Sequence, residues 1–162
     1  MPKMYLMSGP CGAGKTTLSK KLVQELNLRY LSIDNFYTAY FGTNLIHQDE
    51  DEVWEGFAAA IKLAEKTNVD ILVDTNSPRV ADRIWFFDRF PGFDFHFIKV
   101  DAPLELCLLN NNNRDRVIPE DEMRKIYNSI EPISERELEV FRSISLYENT
   151  NNQEVKLIKK IK

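Results

Sequence analysis

The chain has 162 residues, 43% hydrophobic and 28% charged, the balance of one ordinary globular core, which excludes wholesale disorder and repeat arrays. Lysine and arginine number 21 against 25 aspartates and glutamates, a formal charge of −4 with a pI near 5.3, so no global positive field draws in polyanions and an anionic ligand must be held locally. No run approaches the ~18 apolar residues of a membrane span, no signal-peptide layout opens the chain, and Cys11 and Cys107 lack CxxC or Cys/His spacing, so a cytoplasmic protein with free thiols and no membrane partner is expected.

Residues 3–8 (KMYLMS) are a short apolar run stopped by a Gly/Pro cluster, the pattern of a buried strand. From Lys15 onward, Leu18, Leu22, Val23 and Leu26 recur at helical spacing, with Asn27 near the end. Residues 30–33 (YLSI) read as a second strand, and the aromatic stretch 36–41 as a loop with helical turns. The acidic run 49–52 suits the start of a helix whose buried face is Val53, Trp54, Phe57, Ala60, Ile61 and Ala64. A third strand, 71–73, ends at Asp74, and Ser77-Pro78 should start a helix carrying Val80, Ile84 and Phe87. Residues 95–100 are a fourth strand. Asp101 and Pro103 open a helix through Leu109, the polar run 110–116 reads as a mobile loop, and Pro119 opens a helix with Met123, Ile126, Tyr127 and Ile130 on one side. Ser134 and Glu137 form a possible capping box, and the tail around residues 144–158 reads as a hairpin or one further strand. Strands alternating with helices predict a three-layer α/β/α domain with a mostly parallel sheet, whose ligands gather at the carboxyl ends of the strands.

The strongest chemical signal is Gly9-Pro10-Cys11-Gly12-Ala13-Gly14-Lys15-Thr16, a complete GxxxxGK[ST] between a predicted strand and a predicted helix. Its glycines let the backbone wrap with N–H groups inward, the helix dipole adds positive potential, Lys15 reaches the outer phosphates and Thr16 can ligate Mg²⁺. Cys11 occupies a free position where a small residue fits. Phosphoryl transfer further needs charge neutralisation and a group that orients or deprotonates the acceptor. Asp34 directly follows the second strand, over the same sheet edge as the phosphate loop, and is the candidate for that role. Asp74, ending ILVD, has the form of a Mg²⁺-holding carboxylate, with Thr75 and Asn76 placed to bond substrate or nucleotide. Which aspartate does which job stays open. Arg114 and Arg116 are candidates for an arginine finger supplied in cis by a closing loop. Arg79 and Arg83, one helical turn apart, are further candidates for acceptor binding. His47 and His96 have no partners at ligand spacing and read as structural. Tyr37, Tyr40, Phe41 and Trp54 read as core, with closure of a small-molecule pocket as the alternative.

SGPCGAGKTT, LSIDNFY, ILVDTN followed by Pro and Arg, and KVDAPLELCLLNNNNRDRVIPEDEMRKIYNSI make residues 3–135 resemble P-loop kinases of the polynucleotide 5′-hydroxyl kinase type, with zeta-toxin-like and other small-molecule kinases as cousins. The last block, a strand ending VDxP, a helix, an Asn/Arg segment and a second helix, looks like the lid of that group. The resemblance implies a nucleotide-kinase-like P-loop NTPase occupying 1–162 as one domain, with a helical lid at about 103–130. It implies ATP and Mg²⁺, a hydroxyl-bearing acceptor, Lys15, Thr16 and Thr17 on phosphates and metal, Asp34 as general base, and Arg114 or Arg116 on the transferring group. It also matches Asp74 to an acceptor-side aspartate, an alternative to the metal ligand. One departure stands out: Asn35-Phe36-Tyr37-Thr38 carry no arginine where kinases of nucleic-acid ends tend to hold a substrate phosphate. A nucleic-acid or nucleoside 5′-hydroxyl acceptor leads, a sugar, antibiotic or other metabolite is the alternative, and a nucleotide-binding switch ATPase without an acceptor is the rival from another class.

Overall fold

The computed structural model describes residues 1–42, 50–114, 117–150 and 155–162, so His47, Asp49 and Arg116 lie outside the described residues. The elements are β1 (Lys3–Ser8), α1 (Lys15–Leu26), β2 (Arg29–Ser32), α2 (Ile33–Phe41), α3 (Glu50–Lys66), β3 (Ile71–Asp74), α4 (Val80–Arg89), β4 (Asp94–Asp101), α5 (Leu104–Asn112), α6 (Glu120–Asn128), α7 (Glu135–Val140), β5 (Ser143–Glu148) and β6 (Lys156–Lys160). Among the described residues the strands form one sheet in the order β2-β3-β1-β4-β5-β6, parallel except that β6 runs antiparallel to β5.

Alternation along each central strand builds the three layers. Met4, Leu6, Ile71, Val73, Phe95 and Phe97 turn to one face, where they meet α3 and α4 through Phe57, Ile61, Ile84 and Phe86. Met7, Leu72, Ile98 and Val100 turn to the other, against α1, α5 and α6 through Leu18, Leu22, Cys107 and Met123. Both faces are apolar, which is why the strands read as nearly continuous hydrophobic runs. Register then aligns the strand ends: Met7 and Ser32 both pair with Asp74, so the residues after β1, β2 and β3 emerge side by side.

Three local expectations change. Residues 33–41 are helix rather than loop, because packing overrides weak aromatic helix propensity: Tyr37 is buried, and Phe36 meets Phe57 of α3 edge-on at 5.2 Å. The polar run begins inside α5, since Asn110, Asn111 and Asn112 are helical. Asn111 is buried there because its side chain stands in for a peptide, accepting from Ile118 N at 3.0 Å and donating to Ile118 O at 2.7 Å. Finally, the N-cap of α4 is Arg79, not Ser77, whose φ of 32° places it in a tight turn.

That turn is held from below by Arg83. Its guanidinium is 1% exposed and bonds the Glu137 carboxylate, Pro78 O at 2.8 Å and Pro132 O at 3.1 Å, with its charge over the Phe97 ring. Glu137 in turn accepts from Ser134 N at 2.7 Å, completing the capping box of α7. Removing one member strands the other charge in the core, so Glu137→Ala should cost about 3–5 kcal/mol, measured by urea unfolding, and a loss under 1 kcal/mol would contradict it.

His96 stacks on Tyr5 at 4.7 Å, shares a 2.7 Å hydrogen bond with Ser143 Oγ through Nδ1, and buries Nε2 with no partner among the described residues. Burial, then the charge of Lys3, holds the imidazole below its usual 6.5. The unfolded chain therefore takes up this proton more readily, and stability falls as pH drops below about 6.5. His96→Phe should flatten the urea midpoint between about pH 7 and pH 5.5 relative to the wild type.

Candidate functional site

The glycine loop joins β1 to α1 and is clamped from outside. Gly9 lies so close to β4 that a Cβ would sit 2.5 Å from Val100 O, and Gly12, at φ 79°, is pressed onto the Cys107 backbone of α5. Two amides hold the loop's carbonyls: Asn110 Nδ2 donates to Gly12 O at 2.8 Å, and Asn149 Nδ2 to Ala13 O at 3.2 Å. Because a trans peptide sets N–H opposite C=O, the outward Ala13 carbonyl turns the Gly14 N–H to the other side, the side on which Gly14 lines a cavity of about 550 Å³.

Cys11, Gly12, Gly14, Lys15, Thr16 and Thr17 form the floor of this phosphate-loop cavity, whereas Gly9, Pro10 and Ala13 form the buried back of the loop. Asp34, Asp74, Asn76 and Arg114 also line the cavity, so sequence-distant candidates do converge. Lys15 Nζ donates to Asn76 Oδ1 at 2.9 Å. The Asn76 backbone is fixed by Ser8, whose hydroxyl donates to Asn76 O at 2.8 Å and Ser77 O at 2.9 Å. Asp74 accepts from Tyr30 OH at 2.6 Å, and burial, then the Asp74 charge, pushes the Tyr30 phenol well above its usual range, so it remains a donor. Thr75 and Ser77 share a short hydroxyl hydrogen bond beneath them. Burial pushes the Cys107 thiol up to about 11, which marks it as inert packing behind the loop.

A second cavity, about 680 Å³, lies between α2, α3 and α4. It shares Ile33, Asp34, Thr75 and Asn76 with the first, and its remaining wall includes Tyr37, Trp54, Trp85 and Phe86. Tyr37 and Trp54 thus line a pocket rather than only core, while Tyr40 is exposed. Arg79 lines neither cavity: its guanidinium forks onto Asp82, with Nη2 to Oδ1 at 2.8 Å and Nε to Oδ2 at 3.0 Å. Arg83 is structural, as described above.

The sequence gives no sign of Asn149 or Trp85. Asn149 sits in a polar tail 136 residues from the carbonyl it holds, where it resembles any loop asparagine. Trp85 looks like a surface residue on α4, and only α3 and α2 opposite make it a wall.

The sequence pattern of an AAA domain, AAA_33, matches residues 4–133. Over 80 residues the chain is 36% identical to the cytidylate kinase of Desulforamulus reducens, a stretch covering 49% of this chain and only 35% of that protein. The fold superposes on a sugar kinase from Janibacter sp. with a TM-score of 0.67 at 17% identity, covering 95% of this chain and 88% of that one. It superposes on a chain of the Pnkp1/Rnl/Hen1 RNA repair complex with a TM-score of 0.74 at 18% identity, covering 86% and 46%. At such identities the structural likenesses speak for the fold.

The Asn149 amide is one of two screws holding the glycine loop's shape. Asn149→Ala should weaken binding of a fluorescent ATP analogue about tenfold, the worth of one buried hydrogen bond, and unchanged affinity in a titration would show that the loop holds without it.

Proposed function

The chain belongs to the AAA domain family and has the fold of P-loop kinases, as the resemblance implied, and from that premise we propose that it transfers the γ-phosphoryl group of ATP to a hydroxyl acceptor. The observation that carries this reading is that Asp34 lines both cavities, one floored by the phosphate loop and one with room for a second substrate. A switch that only hydrolyses ATP has no need of the second.

In the proposed reaction the triphosphate lies on the glycine loop, its charge met by Lys15 and by the amides at the start of α1. Thr16 and Asp74 both line that cavity, and a hydroxyl with one carboxylate is a donor set that suits Mg²⁺ alongside phosphate oxygens. When bound, the ion neutralises phosphate charge. Thr17 lies beside them. Asp34 accepts the proton of the acceptor hydroxyl as its oxygen attacks the γ-phosphorus, the bond to the β-phosphate oxygen breaks, and a phosphate ester and ADP leave. Arg114, in the segment after α5, supplies positive charge from the proposed lid side of the cavity. Asn76 touches both cavities and is suited to orient the acceptor, with Asp74 alongside.

Asp34→Asn should keep ATP binding yet lose transfer by roughly 10²–10⁴-fold, read from radiolabelled γ-phosphate, whereas Lys15→Ala should lose phosphate binding and turnover together. Wild-type transfer by Asp34→Asn would sink the base assignment.

A further inference from the structure

Resting on the transfer reading above, the geometry points to an acceptor of one chemical class: a small, non-anionic hydroxyl compound carrying a flat apolar ring, seated in the cavity between α2, α3 and α4. Two observations carry it. The first is charge. Among the described residues that line this cavity, the acidic side chains are Asp34 and Asp82, and neither lysine nor arginine is among them. Of the two arginines of this region, Arg79 is 63% exposed and already forked onto Asp82, while Arg83 is buried on Glu137. A phosphate or carboxylate on the acceptor would meet the Asp34 carboxylate and an Asp82 already paired with Arg79, while Lys15, across the Asn76 border, is turned to the triphosphate side, an arrangement that favours neutral or cationic molecules over anions.

The second is shape and polarity. Trp54 and Trp85 meet edge to face at 6.1 Å and 82°, and Trp85 continues at a right angle onto Phe86 at 4.9 Å. With Tyr37 and Ile33 they make a largely aromatic wall, within the volume range of small-molecule sites. Aromatic faces hold a flat ring, and they hold a cation too, whereas they offer an anion no positive partner. The acceptor differs by this chemistry from cytidylate, which is a phosphate ester, and from a nucleic-acid end, which brings backbone phosphates with it.

Both tryptophans of the chain line this cavity, so intrinsic fluorescence reports its occupancy without any turnover. The probes are phenyl β-glucoside and phenylalaninol on one side, and CMP, gluconate and a 5′-hydroxyl oligonucleotide on the other. The expected result is a saturable emission change with the ring-bearing alcohols alone, and label transfer to them with kcat/KM at least tenfold above the anions. Ala81→Arg, at an exposed position of α4 on the cavity wall, should cut phenylalaninol binding at least fivefold and raise CMP binding by a similar factor. No saturable change with either ring-bearing alcohol, or preferential binding or labelling of CMP, gluconate or the oligonucleotide, overturns the assignment. Saturable binding of the ring-bearing alcohols with all label found on water would instead leave the assignment of the cavity standing and remove the transfer reading on which it was built.

Discussion

The outward pull on the carbonyls of the glycine loop is the interaction on which the site depends. A loop of six residues joining a strand to a helix has many conformations open to it, the more so with three glycines. Here Asn110 and Asn149 take the Gly12 and Ala13 carbonyls from behind, and the Ala13 N–H closes back on Pro10 O at 3.2 Å. With those groups satisfied outward, the remaining polar direction of the backbone faces the cavity, and the helix that follows adds its dipole to the same point. The close approach of Gly9 to Val100 and of Gly12 to Cys107 is the steric half of that constraint. The anion site is therefore a property of how α5, β4 and the end of β5 press on the loop, not of the loop alone.

The opposite wall is fixed by a different force. The turn at residues 76–78 carries Asn76 into both cavities, and a turn with Ser77 at φ 32° does not hold itself. Ser8 bonds it from β1, and Arg83 bonds its Ser77 and Pro78 carbonyls from α4. Burying a guanidinium is costly, and Glu137 with the Pro132 carbonyl offsets that cost only because α7 arrives in the right place. A buried charged pair between α4 and α7 thus helps set the position of a residue that bonds Lys15.

Much of this was legible from residue order because its causes are local. GPCGAGKT between an apolar run and an amphipathic helix fixes a phosphate loop, and parallel strands ending at Ser32 and Asp74 oblige Asp34 and Asp74 to share its edge. The capping box at Ser134 and Glu137 was legible for the same reason. What escaped depends on partners distant in sequence. Arg83 and Arg79 look alike on paper, one turn apart on one helix, yet one is buried on Glu137, 54 residues away, and the other is tied to its own helix by Asp82. The α2 helix escaped because Phe36 and Tyr37 are indifferent helix formers that gain their order from α3. The Trp54 and Trp85 wall likewise exists only once two helices face each other.

The division of labour between the two cavities explains why the proposed base stands at their border. A carboxylate deep among the phosphate-binding groups would be spent neutralising Lys15, and would add repulsion where a triphosphate is to sit. One deep in the aromatic cavity would pay heavily for its desolvation. Asp34, in the first turn of α2, gains from the helix dipole and stays in contact with both spaces. In the proposed reaction the aromatic side of the second cavity, beyond Asp34, would offer an organic hydroxyl compound an apolar surface that water cannot use. Charge on one side, apolar surface on the other and a carboxylate between them is the arrangement that the proposed transfer, rather than hydrolysis, would use.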